Sequence, residues 1–220
     1  VPTCSKVLTN FLVILNATLF DSSSLRPINC LTILPFLRVI GNFGFNTYAG
    51  EEIKPTNLIL VRPEGDPLVA ADDLLFPNGT VITPNNKTLI VGETYAARLT
   101  AFDKAEDGSL SNRRIWADLK KNSEEGSVPL PDGMCIDEEG AIWVASPSTS
   151  EVIRVHEGGE ISERIPVETN AFACMLGGGD RKTLFICTSN GSGVDPDAAV
   201  REKSGKIEIV EVDVPGVGKP

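Results

Sequence analysis

Histidine is nearly absent: His156 stands alone in 220 residues. A Ser-His-Asp triad would depend wholly on that one imidazole, and no Gly-x-Ser-x-Gly elbow accompanies it. His156 ends a strand pattern beside Glu157 and Gly158-Gly159, reads as solvated surface, and is assigned no role. Cysteine is sparse. Cys4, Cys30, Cys135, Cys174 and Cys187 are odd in number and widely spaced, without a Cys-x-x-Cys pair or zinc-ligand spacing, and read as buried free thiols. Sequons at Asn16, Asn78, Asn86 and Asn190 matter only in a secreted chain, so the compartment stays open between secretion and the preferred cytoplasm.

Positive charge is also short. Thirty acidic residues outweigh twenty basic ones for a net charge of −10, and the pairs Arg113-Arg114, Lys120-Lys121 and Arg181-Lys182 are brief. Neutralising a nucleic-acid backbone needs clustered Lys and Arg, so nucleic acid is excluded as a partner. Long apolar runs are missing as well. The runs at residues 11–15 and 31–37 fall short of the about 20 residues that cross a bilayer, which excludes a membrane span. No charged n-region precedes residues 11–20 and no clear small-residue cleavage site follows them, so they do not read as a signal peptide.

The residues present in quantity are turn formers and strand formers. Twenty Gly and fifteen Pro, with 41% hydrophobic and 23% charged residues, describe a globular chain of short elements joined by tight turns, hence an all-β fold. From residue 37 onward these elements repeat. Strand candidates at 78–83, 88–93, 98–103 and 113–119 make one unit of four, and 132–137, 141–146, 151–156 and 163–168 make a second. Leu89-Ile90-Val91 and Ile142-Trp143-Val144 are continuous apolar runs, as expected of strands buried on both faces. A third unit holds 171–176, 183–188 and 206–212 without a fourth strand, and 37–41, 57–62 and 67–71 supply positions two, three and four of an earlier unit. Tandem four-stranded units without helical patterns point to propeller blades.

Three stretches carry a more specific resemblance: Phe76-Pro77-Asn78-Gly79 followed by Thr88-Leu89-Ile90-Val91, Asp107-Gly108-Ser109-Leu110-Ser111-Asn112-Arg113-Arg114, and Leu130-Pro131-Asp132-Gly133-Met134-Cys135-Ile136-Asp137. Together they resemble the gluconolactonase/regucalcin family, and Gly41-Asn42-Phe43-Gly44-Phe45, Leu60-Val61-Arg62-Pro63-Glu64-Gly65 and Phe172-Ala173-Cys174-Met175-Leu176-Gly177-Gly178 follow in the order of its bacterial-type members. The resemblance implies a six-bladed β-propeller family, here an incomplete propeller of about four blades lacking the N-terminal ones. It divides the chain into an atypical apolar segment at 1–36, the partial propeller at 37–212 and a tail at 213–220.

The resemblance further implies a divalent cation in the central channel, calcium or zinc with manganese and magnesium as alternatives, held by one Glu, two Asn and one Asp, with hydrolysis of a sugar lactone as the chemistry. Two positions match: Asn78 as a metal ligand, and Asp132 as metal ligand and catalytic base. The Glu and the first Asn have no counterpart in residues 1–40, so the expectation is a hydrolase impaired by loss of half its metal site. The alternative is a non-catalytic truncated propeller fragment or binding module, and exposed blade edges would favour self-association.

The residues taken alone are plainer, because Asn-Gly and Pro-Asp-Gly are common turn sequences that need no metal. Gly177-Gly178-Gly179-Asp180 lacks the Gly-Lys-Ser/Thr ending of a phosphate loop and reads as a turn between strands. Asn42-Phe43-Gly44-Phe45-Asn46 lies where a loop could line a channel mouth, equally suited to aromatic packing and to substrate contact.

Overall fold

A computed structural model describes residues 38–46, 50–62, 65–121, 127–191 and 201–217, all within the unit Phe36–Pro220. The segment 1–36 and the thiols Cys4 and Cys30 lie outside the described residues.

Short strands alternate with turns because glycine and Asx residues interrupt each apolar run. The first sheet is β1 (Arg38–Ile40), β2 (Thr56–Val61) and β3 (Leu68–Leu74), and the second is β4 (Pro77–Ile82), β5 (Thr88–Glu93), β6 (Arg98–Lys104) and β7 (Leu110–Asp118). The third is β8 (Met134–Ile136), β9 (Ile142–Ser146), β10 (Glu151–Val155) and β11 (Ile161–Pro166). The fourth is β12 (Asn170–Gly177), β13 (Thr183–Ser189) and β14 (Lys206–Glu211). Within each sheet, strands pair antiparallel in chain order. The described residues are thus almost all-β and built from successive antiparallel sheets, as the tandem pattern predicts.

The sheets stack face to face, and alternation along each strand decides which neighbour a side chain meets. Ile142 and Val144 of β9 pack with Val81, Ile90 and Leu99 of the second sheet, whereas Trp143 and Ala145 pack with Cys174, Leu184 and Ile186 of the fourth. A third cluster joins Leu58 and Leu74 to Leu89, Val91 and Phe102. All five residues of β9 are buried, which accounts for its unbroken apolar sequence. The far face of the fourth sheet stays open: register places Met175, Phe185 and Ile209 in one row and Cys187 with Ile207 in the next, and all five are exposed. Cys187 therefore departs from the buried-thiol expectation, while Cys135 and Cys174 fit it.

The units are equivalent in detail. A Cβ on Gly41, just after β1, would strike the Pro77 carbonyl, and one on Gly92, late in β5, would press on Pro131. Each glycine admits the proline that opens the next unit.

The third sheet buries an ion pair. Arg154 on β10 donates from Nε to Asp137 at 2.8 Å and from Nη2 to Glu139 at 2.8 Å, and its Nη1 reaches Ser162 and His156. His156 is therefore half-buried in an arginine network and not a free surface ring. Residues 213–217, read as the start of a tail, run beside the third sheet: Asp137 bridges Gly216, and the Glu138 N–H donates to Pro215 O at 2.9 Å. Among the described residues no helix is long and apolar enough to cross a membrane.

Candidate functional site

Asn78 is the second residue of β4, and Asp132 lies two residues before β8. These two strands are neighbours across the boundary between the second and third sheets. The Gly79 N–H donates to Asp132 O at 3.0 Å, and a Cβ at Gly79 would overlap that carbonyl, so only glycine lets the two backbones meet. The Asp132 N–H is held by Ala145 O at 2.9 Å, and the next N–H, of Gly133, donates to Phe172 O at 2.9 Å. Backbone bonds thus fix both residues, and they bring the two side chains together: Asn78 interacts with the Asp132 carboxyl.

The carboxyl is electrostatically unusual. Burial pushes its pKa up to about 7, while interaction with the Asn78 side chain and the Gly133 N–H pulls the other way. Asp132 has no ion pair with Lys or Arg among the described residues, in contrast to Asp137 and Glu93. A desolvated carboxylate without a counter-charge among the described residues is a place where a cation would be stabilised, and the Asn78 amide, whose NH₂ now donates to that carboxylate, could turn its oxygen to a hard divalent ion. The donors fit such an ion in kind. No cluster of three His, Cys, Asp or Glu stands ready among the described residues, so Asn78 and Asp132 supply only part of a coordination shell.

Two supporting residues were not singled out by sequence reasoning. Thr94 opens the 3₁₀ turn Thr94–Ala96 after β5; its hydroxyl donates to Pro131 O at 2.7 Å, and Asn78 Nδ2 lies 3.4 Å from its Oγ1. Glu93 is wholly buried. Burial raises its pKa, but hydrogen bonds from Arg98, Thr100 and the Leu75 N–H outweigh that and leave it below the ordinary range. Arg113, from the Asp107–Arg114 stretch quoted above, reaches Glu93 at 3.5 Å and also donates to the carbonyls of Asp72 and Asp73 at 3.0 and 2.8 Å. Together they fasten the segment leading into Pro77-Asn78.

Aromatic rings flank the same place. Phe43 stacks on Phe76 with centroids 4.3 Å apart, and Tyr95 meets Phe76 edge-on at 5.0 Å and Phe45 at 5.7 Å. Phe43 and Phe45 thus take part in aromatic packing. A crevice lined by Val39, Leu60, Thr80, Ile82, Leu89 and Lys104 includes neither Asn78 nor Asp132. The Gly177-Gly178-Gly179-Asp180 stretch is the turn between β12 and β13, with Gly178 at φ +85°.

Comparison with known proteins bears on this geometry. Residues 38–190 match the model of the SMP-30/gluconolactonase/LRE-like region. The chain is 32% identical over 152 residues to regucalcin of Oryctolagus cuniculus, covering 66% of this chain and 48% of that protein. It is 27% identical over 164 residues to a 6-deoxy-6-sulfogluconolactonase of Pseudomonas putida, covering 74% of this chain and 55% of that one. Among solved structures it superposes on a calcium-binding protein, regucalcin, from Agrobacterium tumefaciens, with a TM-score of 0.60 at 21% identity over 74% of this chain and 55% of that one. The chain spans about half the length of the curated relatives it matches.

Proposed function

We propose that this chain, which belongs to the SMP-30/gluconolactonase/LRE-like family, carries part of a divalent-cation-dependent centre that hydrolyses sugar lactones. The observation that supports this reading is the convergence of Asn78 with a desolvated Asp132 that has no ion pair with Lys or Arg among the described residues. A bound divalent cation would polarise the lactone carbonyl and acidify the attacking water. Asn78 Oδ1 and the Asp132 carboxylate would hold that ion, calcium or zinc, with manganese and magnesium as substitutes.

The chain's own chemistry centres on Asp132. In the metal-free chain burial raises its carboxyl pKa to about 7; beside the cation it would be ionised, which suits it to take a proton from water as the carbonyl is attacked and to return it to the leaving oxygen. Asn78 bears no charge and contributes orientation and a donor oxygen only. Opening the ester bond then needs no nucleophilic side chain. The sheets correspond to about four blades of a six-bladed propeller, and with two donors supplied the chain by itself turns lactones over slowly.

The test is hydrolysis of gluconolactone by the purified chain with titrated calcium, zinc and manganese, comparing wild type with Asp132→Asn. Cation-dependent turnover that falls at least about a hundredfold in Asp132→Asn is expected. Turnover indifferent to that substitution would refute the assignment. Equal inertness of both proteins with every metal would favour a non-catalytic binding module.

A further inference from the structure

Strand direction gathers more than the two candidate donors at one end of the sheets. Asn78 stands at the start of β4 and Asp132 just ahead of β8. β5 runs antiparallel to β4 with Glu93 opposite Pro77, so it finishes at that same end and turns there through Thr94–Ala96. The turn is tied to both donor segments: the Thr94 N–H donates to Phe76 O at 3.1 Å, two residues before Asn78, and Thr94 Oγ1 donates to Pro131 O at 2.7 Å, one residue before Asp132. Tyr95, the next residue, meets Phe76 at 5.0 Å and Phe45 at 5.7 Å, yet 39% of it stays exposed, against 8% of Phe45. A ring held by its neighbours, with surface to spare, thus stands beside the strand starts that carry the site.

The turn itself does not require a ring. Its counterpart in the third sheet follows β9: Ala97 and Ser150, at φ +49° and +51°, close the two turns, and Arg98 and Glu151 open the strands after them. Where the second sheet has Tyr95 the third has Ser148, whose hydroxyl donates to Val128 O at 2.9 Å. The same step between strands is made with an aromatic in one sheet and without one in the next.

We propose that Tyr95 is a specificity-determining residue of this site: its exposed ring is the platform on which the C–H face of a cyclic sugar lactone lies while the lactone carbonyl is presented to Asn78 and Asp132. This rests on reading that pair as part of a lactone-hydrolysing centre. A sugar ring carries hydroxyls at its rim and C–H bonds on its faces. Those hydrogens are slightly positive and the face of an aromatic ring is slightly negative, so the two attract beyond the area they bury. A tyrosine already fixed by Phe45 and Phe76 loses little freedom when the ligand arrives. An open-chain ester of the same acid has no such face, so the contact favours the ring form.

The experiment uses the full chain as wild type, Tyr95→Ala, Tyr95→Leu, Tyr95→Phe and Tyr95→Trp in two measurements. On metal-free samples, anhydroglucitol, a pyranose with no bond to hydrolyse, is titrated by NMR on the sugar's signals and, in wild type, on the ring protons of Tyr95, one of two tyrosines in the chain. On manganese-loaded samples, initial rates are compared for gluconolactone and methyl gluconate. Tyr95→Ala and Tyr95→Leu should raise the sugar Kd and the gluconolactone KM about fivefold with kcat within about twofold, whereas Tyr95→Phe and Tyr95→Trp stay within about twofold of wild type. The preference for gluconolactone over methyl gluconate should fall about fivefold in Tyr95→Ala. Unchanged Kd and KM in Tyr95→Ala, in a chain whose turnover needs both the cation and Asp132, would overturn the platform and leave the site reading standing. Tyr95→Leu equal to Tyr95→Phe would overturn it as well, because bulk without an aromatic face would then suffice. A wild type that shifts its Tyr95 signals on binding the sugar yet takes no cation would overturn the site reading and keep the platform. A wild type that binds no sugar overturns the platform outright.

Discussion

Asp132 pits function against stability. Its folded-state pKa near 7 lies above the about 3.9 of an unfolded aspartate, so between those values the native state holds a proton that the unfolded chain has lost. The contribution to stability is fully present below about pH 4 and is lost as the pH rises through about 7. After allowance for its partial exposure, the loss is on the order of 2 kcal/mol. Asp132→Asn removes the ionising group, so in chelator-treated samples the variant should be more stable than wild type at pH 8 and no more stable at pH 4. Denaturant melts across that range measure the difference, and a gap that does not grow with pH would mean that the carboxyl is not desolvated. The same proton competes with a cation, so cation affinity should rise as the pH is raised from 6 to 8.

At the level of strands, the buried Arg154–Asp137 pair and the exposed Arg181–Glu138 pair make a direct contrast. Arg154 is 6% exposed and Asp137 fully buried, whereas Arg181 and Glu138 are 43% and 46% exposed. Arg154→Ala leaves the Asp137 charge uncompensated in the turn between β8 and β9 and should cost about 3–5 kcal/mol. Arg181→Ala should cost less than about 1 kcal/mol, and chemical denaturation of the two variants distinguishes them. Strands buried on both faces were legible in sequence because unbroken apolar runs between turn residues have few other readings: β5 and β9 lie where Leu89-Ile90-Val91 and Ile142-Trp143-Val144 predict. Outer strands were less so. The fourth strand of the third sheet was expected at 163–168 but begins at Ile161, because its half-buried alternation of Ile161, Glu163 and Ile165 is weak and Pro166, at its end, looks like an interior residue. In the second sheet β7 starts at Leu110 and not at 113, since Ser111-Asn112-Arg113-Arg114 faces solvent and carries no apolar signal.

Across the described residues, sheet order followed from the repeated motif order, and Asn78 and Asp132 stand at equivalent places, at or just before the first strands of successive sheets. What supports the pair did not follow. Thr94, Glu93 and Arg113 act largely through contacts between residues 16 to 41 apart in the chain, and composition or periodicity carries no trace of them. The facing strands β4 and β8 of the second and third sheets are proposed to hold a cation at Asn78 and Asp132. The most direct measurement is the anomalous difference map of crystals of the full chain soaked in manganese(II) at pH 8. The account predicts a peak within about 2.5 Å of both Asn78 Oδ1 and an Asp132 carboxylate oxygen, absent in Asp132→Asn crystals. A fully occupied manganese elsewhere, or no peak between these two side chains at saturating metal, would contradict it.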